Sequence, residues 1–151
     1  MCVEIRRAED GDITAIAAIR AQTWETDDFW KSRVERYRSG EHSPQNALPP
    51  RAIFAAVSGS EILGFVAGHR TRRYACDGEL QWIDVASDFR RKGIAGQLLR
   101  AIAAWFVQQG AFRVCVNVAP ENLAARGFYA KYGAEPLNEH WLVWEDIQAI
   151  G

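Results

Sequence analysis

Several kinds of residue are scarce in this sequence, and each shortage removes a class of explanation. Three cysteines, Cys2, Cys76 and Cys115, are scattered through 151 residues. Neither a disulfide framework nor a Cys-x-x-Cys metal knuckle is built from such spacing, so a reduced, cytoplasmic protein is expected. The histidines, His42, His69 and His140, are equally dispersed; no metal is expected, and these three read as surface or loop residues. No apolar run approaches the roughly 18 residues that a membrane span needs. The opening residues, Met1 to Arg7, alternate and carry charge rather than forming a signal peptide. A net charge of -1 argues against nucleic acid or a membrane surface as partner. There is no Gly-x-x-x-x-Gly-Lys-Ser/Thr loop and no Gly-x-Gly-x-x-Gly after the first strand, which disfavours a P-loop NTPase and a dinucleotide-binding domain.

What remains is ordinary soluble composition, 48% hydrophobic and 25% charged, long enough for a single domain over residues 1–151 with its own core. Val3 to Arg6 alternates as a strand. Asp10 or Asp12 is placed to cap a helix through about Gln22, with Ile13, Ile16, Ala17 and Ile19 on its buried side. A second helix starts at Asp27-Asp28 and runs to about Ser39. His42 to Pro50 contains three prolines and reads as loop. Ala52–Val57 and Ile62–His69 form a hairpin about Ser58-Gly59-Ser60, and Glu79 to Val85 is the next strand. Ile94, Leu98, Ile102 and Phe106 recur at i, i+4 in a helix ending at Gly110. Arg113 to Val118 is a strand, Asn122 caps a helix ending at Gly133, and Ala134–Leu137 with Trp141–Trp144 close a hairpin. Strand, two helices, three strands, helix, strand, helix, two strands is an α+β (mixed α/β) order around one sheet.

The most informative stretch is Arg90-Arg91-Lys92-Gly93-Ile94-Ala95-Gly96, lying between a strand and a helix. Unpaired N–H groups at a helix start, basic side chains and a glycine that lets backbone approach a ligand make an anion cradle. The segment resembles the phosphate-loop signature of the GNAT superfamily of acyl-CoA-dependent N-acyltransferases: Gln or Arg, two residues, Gly, one residue, Gly or Ala. Asn122-Leu123-Ala124-Ala125-Arg126-Gly127-Phe128-Tyr129-Ala130-Lys131-Tyr132-Gly133 is similar to that family's Asn-x-x-Ala-x-x-Phe-Tyr-x-x-x-Gly helix. The close match covers about Glu79 to Gly133; before it, only the order of elements agrees.

The resemblance implies a single central, mostly antiparallel sheet with a splayed, partly parallel strand pair, flanked by helices. It implies transfer of an acetyl or short acyl group from acetyl-CoA to a primary amine by direct attack in a ternary complex, without a covalent enzyme intermediate. Arg90 to Gly96 would hold the CoA pyrophosphate, and the backbone of Ile83, Asp84 and Val85 would pair with the pantetheine arm. Asn122, Ala125, Phe128 and Tyr129 would flank the cofactor. Tyr129 is the expected general acid for the leaving thiolate. Glu79, eleven residues before Arg90, stands where several members carry a glutamate base; a strand-end surface carboxylate is the alternative.

For the acceptor, Trp24, Glu25 and Trp30 suit a cationic amine, although packing and helix-dipole roles explain them as well. Arg33, Arg36, Arg70, Arg72 and Arg73 favour an acidic acceptor instead. Asn117 stands where some N-terminal acetyltransferases place a glutamate base, which favours a small-molecule amine over a peptide amine. Gly127 inside a helix is expected to mark close approach of a neighbouring element. A non-catalytic acyl-CoA-binding or regulatory domain and a peptide N-acetyltransferase remain alternatives, and a homodimer through Trp141–Trp144 is a further possibility.

Overall fold

The computed structural model describes residues 2–150. Its strands are β1 (Glu4–Arg7), β2 (Ala47–Ser58), β3 (Glu61–Thr71), β4 (Gly78–Val85), β5 (Val114–Asn117), β6 (Glu135–Asn138) and β7 (Trp141–Trp144). Its helices are α1 (Ile13–Ala21), α2 (Asp27–Ser39), α3 (Ile94–Gln108) and α4 (Leu123–Lys131). The element order is the one the sequence pattern predicts. All seven strands join one sheet in the order β1-β2-β3-β4-β5-β7-β6. Every neighbouring pair is antiparallel except β4 with β5. The architecture is therefore mixed α/β with a mostly antiparallel sheet.

Hydrophobic periodicity divides the side chains between two faces of that sheet. On one face, Leu98, Leu99, Ile102 and Phe106 of α3 pack on Val66, Leu80, Val85, Val114 and Val116. On the other, Ile16 and Ile19 of α1 and Trp30, Val34 and Tyr37 of α2 cover Ile53, Phe65, Ala67 and Trp82. Burial of one such aliphatic or aromatic side chain contributes about 1.5–3 kcal/mol, so the two layers hold the helices to the sheet. Cys76 and Cys115, distant in sequence, meet in a small third cluster with Trp141 and Val143.

Three local expectations are corrected. The loop expected to reach Pro50 ends earlier: Ala47 and Leu48 already pair with Thr71 and Arg70. Pro49 and Pro50 fall in the register shift between Leu48 and Arg51, where the ladder asks no N–H of them. The second helix is capped by Thr26, whose hydroxyl accepts from Phe29 N at 3.2 Å, rather than opened by Asp27-Asp28 alone. Gly127 is exposed with open space where a Cβ would be; no neighbour approaches it, and nothing in the structure explains this glycine.

A register shift between Ala67 and Gly68 of β3 sets Gln81 of β4 as an extra, unpaired residue. Leu80 faces α3 while Trp82 faces α1 and α2, so the bulge reverses the alternation of β4. Beyond the bulge, β3 must lie close to β4 and to α3 together. At Gly64 a Cβ would stand 2.8 Å from the Asp84 carbonyl oxygen and 3.2 Å from Leu98 Cδ1. Gly64→Ala is expected to destabilise the fold by about 1–3 kcal/mol, because the obstructing atom is backbone. Chemical denaturation with an unchanged m-value would check it.

Candidate active site

β4 and β5 run side by side for a short distance only. Gly78, Glu79 and Leu80 pair with Val114, Cys115 and Val116. β4 then continues to Val85, while β5, paired with β7 along its whole length on its other edge, ends at Asn117. On its other side β4 stays bonded to β3. Ala86 N donates to Leu63 O at 2.8 Å. The Val85–Gly64 and Ile83–Val66 pairs next in register are therefore of the wide, non-hydrogen-bonded kind. The N–H and C=O groups of Ile83 and Val85 turn away from β3, toward the side where β5 has departed.

Side chains gather at this opening. Val85 N donates to Asp84 Oδ1 at 3.1 Å, and the Val85 carbonyl accepts from Arg90 Nε at 3.0 Å. Arg90 Nη2 lies 3.6 Å from Asp84 Oδ1, and Arg20 Nη1 of α1 lies 3.5 Å from Asp84 Oδ2. The Arg20 guanidinium sits 4.8 Å over the Trp30 ring. Burial pushes the Asp84 carboxyl up from its ordinary value, and the charges of Arg20 and Arg90 pull against it. Asp84 thus brings an ion-paired side chain to the opening in addition to its backbone.

Tyr129 of α4 belongs to the same locality. It is buried, with its ring edge-on to Phe128 at 5.3 Å and to Trp144 at 5.7 Å. Burial pushes its phenol above the usual tyrosine range; the charge of Arg20 works against this and that of Asp84 adds to it. The hydroxyl therefore keeps its proton at neutral pH and is a donor. Asn122 caps α4, its Oδ1 accepting from Ala125 N at 3.2 Å. Phe128 is half-buried between Tyr129 and Tyr132.

The loop into α3 follows directly from β4. A short 3-10 turn, Ser87–Phe89, leads to exposed Arg90, Arg91 and Lys92. Gly93 is the N-cap at φ +79 and offers no side chain to the first turn of α3, so the N–H groups of that turn are open to an external acceptor. Ile94 is buried, Ala95 half-buried, and Gly96 is buried under the Tyr132 hydroxyl, which a Cβ there would strike. Gly96 thus lets α4 approach α3.

The residues named for an acceptor are not brought together. Trp30 is buried in the core against Trp82, whereas Trp24 is 62% exposed. They touch through backbone, the Trp30 indole N–H donating to Trp24 O at 2.5 Å. Glu25 is exposed at φ 60. Asn117, also exposed, donates from Nδ2 to His140 O at 3.1 Å. Glu79 lies on the α1–α2 side of the sheet; its β3 partner His69 is four residues from Phe65, the partner of Asp84, so the two carboxylates are about 13 Å apart along the strand at the usual rise. It is buried, with Arg73 Nε donating to its Oε1 at 3.0 Å. His69 is a correction: it is not a surface residue but fully buried, bonded to Tyr37 and facing Glu79. Sequence reading also missed Arg20, which only the packing of α1 brings to Asp84. A cleft of about 450 Å³ opens elsewhere, lined by Arg7, Asp10, Glu35, Arg38 and Arg51 among others, so volume alone does not mark the β4–β5 opening. Among the described residues no group of His, Cys, Asp and Glu has metal-ligand geometry, and no helix is long and apolar enough to cross a membrane.

Known proteins are similar to this chain in sequence and fold. The chain is 41% identical over 106 residues to an uncharacterized N-acetyltransferase, YobR, of Bacillus subtilis, a match covering 70% of this chain and 42% of that protein. It is 24% identical over 141 residues to an aminoglycoside N(6')-acetyltransferase type 1 of Salmonella enteritidis, covering 88% and 92% of the two. The fold is shared with AAC(6')-Iy, solved in complex with the bisubstrate analog CoA-S-monomethyl-acetylneamine, at TM-score 0.74 and 23% identity over 91% of this chain and 94% of that one. The model of the acetyltransferase (GNAT) family matches residues 13–134, and the chain belongs to that family.

Proposed function

We propose that this chain is an acetyl-CoA-dependent N-acetyltransferase whose acceptor is a small-molecule primary amine. The observation that carries the reading is the parting of β4 from β5 beside an uncapped helix N-terminus. Ile83 and Val85 present backbone N–H and C=O groups along the opening, as a strand edge does for an added strand. The loop Arg90 to Gly96 begins five residues beyond Val85 and ends in the open first turn of α3, which suits a pyrophosphate. Donor and loop are thus matched in chemistry and in order along one continuous segment.

The thioester of the donor supplies an acyl group activated toward an amine and a sulfur leaving group. The chain's part is to position and to move protons. Backbone groups of Ile83 and Val85 hold the donor in line. Arg90, released from the Val85 carbonyl, is free to turn its guanidinium toward phosphate. The Tyr129 phenol, protonated at neutral pH, gives its proton to the departing thiolate. Glu79 takes the proton that the acceptor ammonium must lose before attack. Trp24 and Glu25 at the exposed α1–α2 turn attract a cation. The relative named above as an aminoglycoside N(6')-acetyltransferase supports a small-molecule amine here.

Incubation with acetyl-CoA and a panel of amines (an aminoglycoside, a polyamine, a lysine-bearing peptide), followed by free thiol, tests the activity. Thiol release with a small amine is expected. Tight CoA binding without release above background for any amine would instead indicate a binding domain. Tyr129→Phe is expected to lower kcat by roughly 100-fold, the lower end of general-acid effects, with CoA affinity kept; an unchanged kcat would remove Tyr129 as the acid. Gly93→Ala forces a Cβ into a left-handed conformation at a cost of about 1–2 kcal/mol. Its expected signature is a weaker calorimetric Kd for CoA, because the strain sits where the first turn of α3 opens.

A further inference from the structure

Three buried polar side chains from α2, β3 and β4 and a half-buried arginine from the β3–β4 connection form a line that the donor site does not use. Tyr37 and His69 have no exposed surface, and Glu79 is 5% exposed. Tyr37 Oη and His69 Nδ1 are 2.9 Å apart. His69 and Glu79 are cross-strand partners, and His69 Nε2 lies 3.7 Å from Glu79 Oε1. Arg73 Nε donates to that same oxygen at 3.0 Å. Among the described residues His69 Nε2 has no hydrogen-bond partner, although buried polar atoms almost always have one.

The proton positions follow from the neighbours. A ring carrying its proton on Nδ1 would turn a bare Nε2 lone pair toward a carboxylate oxygen, which is repulsive. With the Tyr37 hydroxyl donating to Nδ1, the ring carries its proton on Nε2 and directs it at Glu79. Arg73 already balances the single charge of Glu79, so a second buried cation would be uncompensated. The other charged or ionisable groups facing this line are Arg51 of β2, whose guanidinium lies 4.8 Å over the Tyr37 ring, and Cys115 of β5, the register partner of Glu79.

We infer that His69, oriented by Tyr37, is a positioning residue for Glu79: with Arg73 it claims Oε1 from a second side and leaves Oε2 for the acceptor amine or a water bearing its proton. The inference rests on Glu79 being the base. A hydrogen bond from Nε2 closes on Oε1 with less than 1 Å of movement, so the carboxyl is held in one rotation as the amine arrives. Neither positioning group touches substrate. Both act by fixing which oxygen is free.

The test uses the full chain and the panel amine giving the fastest thiol release. The pH dependence of kcat/KM is measured for the wild type, Glu79→Gln, His69→Leu, His69→Gln and Tyr37→Phe. Glu79→Gln is expected to abolish the acid limb. His69→Leu removes a donor to the carboxylate, so that limb should move to higher pH by about one unit. Tyr37→Phe, the milder change, should move it the same way by less. His69→Gln, which keeps an N–H near the Nε2 position, should return it toward wild type. Nitrogen-15 spectra of the histidines should show His69 as the Nε2–H tautomer at neutral pH, shifting toward Nδ1–H in Tyr37→Phe. An acid limb abolished by Glu79→Gln yet unmoved by His69→Leu and Tyr37→Phe overturns the inference and leaves Glu79 as base. An acid limb untouched by Glu79→Gln overturns both. An Nδ1–H tautomer in the wild type overturns the positioning role whatever the kinetics show.

Discussion

Everything at the candidate site depends on one constraint: backbone polar groups need partners, and β4 loses its neighbour on one side halfway along its length. Three residue pairs join β4 to β5 before the strands part. Beyond them Ile83 and Val85 keep extended geometry because β3 holds them from the other side. Their outward N–H and C=O groups are strand-edge groups in the middle of a sheet. At Val85 the chain satisfies them itself, with Asp84 on the N–H and Arg90 on the C=O. An extended donor arm satisfies such groups equally well, and the exchange costs little because hydrogen bonds are replaced rather than lost. The bulge at Gln81 lies just beyond the last β4–β5 pair, and the glycine at position 64 lets β3 lie close to β4 and α3.

The same bulge decides which carboxylates belong together. Glu79 and Asp84 differ by an odd number of residues and would lie on opposite faces of a regular strand. Gln81 restores them to one face, the side of α1 and α2, where Asp84 meets Arg20 and Glu79 meets His69 and Arg73. Their surroundings differ. Asp84 is held between two guanidiniums at the opening, within reach of the Tyr129 phenol's field. Glu79 is tied at one oxygen only, deeper in the sheet. On this division Asp84 is ion-paired from two sides at the opening, and Glu79, the proposed base, has contacts at Oε1 alone.

Helices and strands were legible because their patterns are local: the i, i+4 series from Ile94 to Phe106 and the alternation of Val114, Val116 and Val118 name both the element and its buried side. The phosphate-type loop was legible for the same reason, since a glycine between a strand and a helix signals its own backbone conformation. What stayed hidden depends on tertiary placement. His69 looked like a loop residue until Tyr37, 32 positions earlier, packed against it. Arg20 reaches Asp84 across 64 positions. Trp30 reads equally as pocket wall or core, and only the packing of α2 on Trp82 turns it inward. The prolines at 49 and 50 hid the start of β2, because a bulge tolerates what a regular ladder does not.

This contrast also explains why the proposed donor half is readable at low sequence identity while the acceptor half is not. The donor half is built from backbone: strand-edge groups of β4, the open first turn of α3 and a glycine in a left-handed conformation. Such a site constrains few side chains, so its trace in sequence is a short pattern that survives wide divergence elsewhere. An acceptor site has no such economy. It must discriminate amines through side-chain charge, aromatic faces and shape, which leave no short pattern in a sequence. Glu79, the proposed base, draws on both kinds of signal: its strand belongs to the backbone framework, while Tyr37, His69 and Arg73, which surround its carboxyl, come from the part of the chain that the short patterns do not reach.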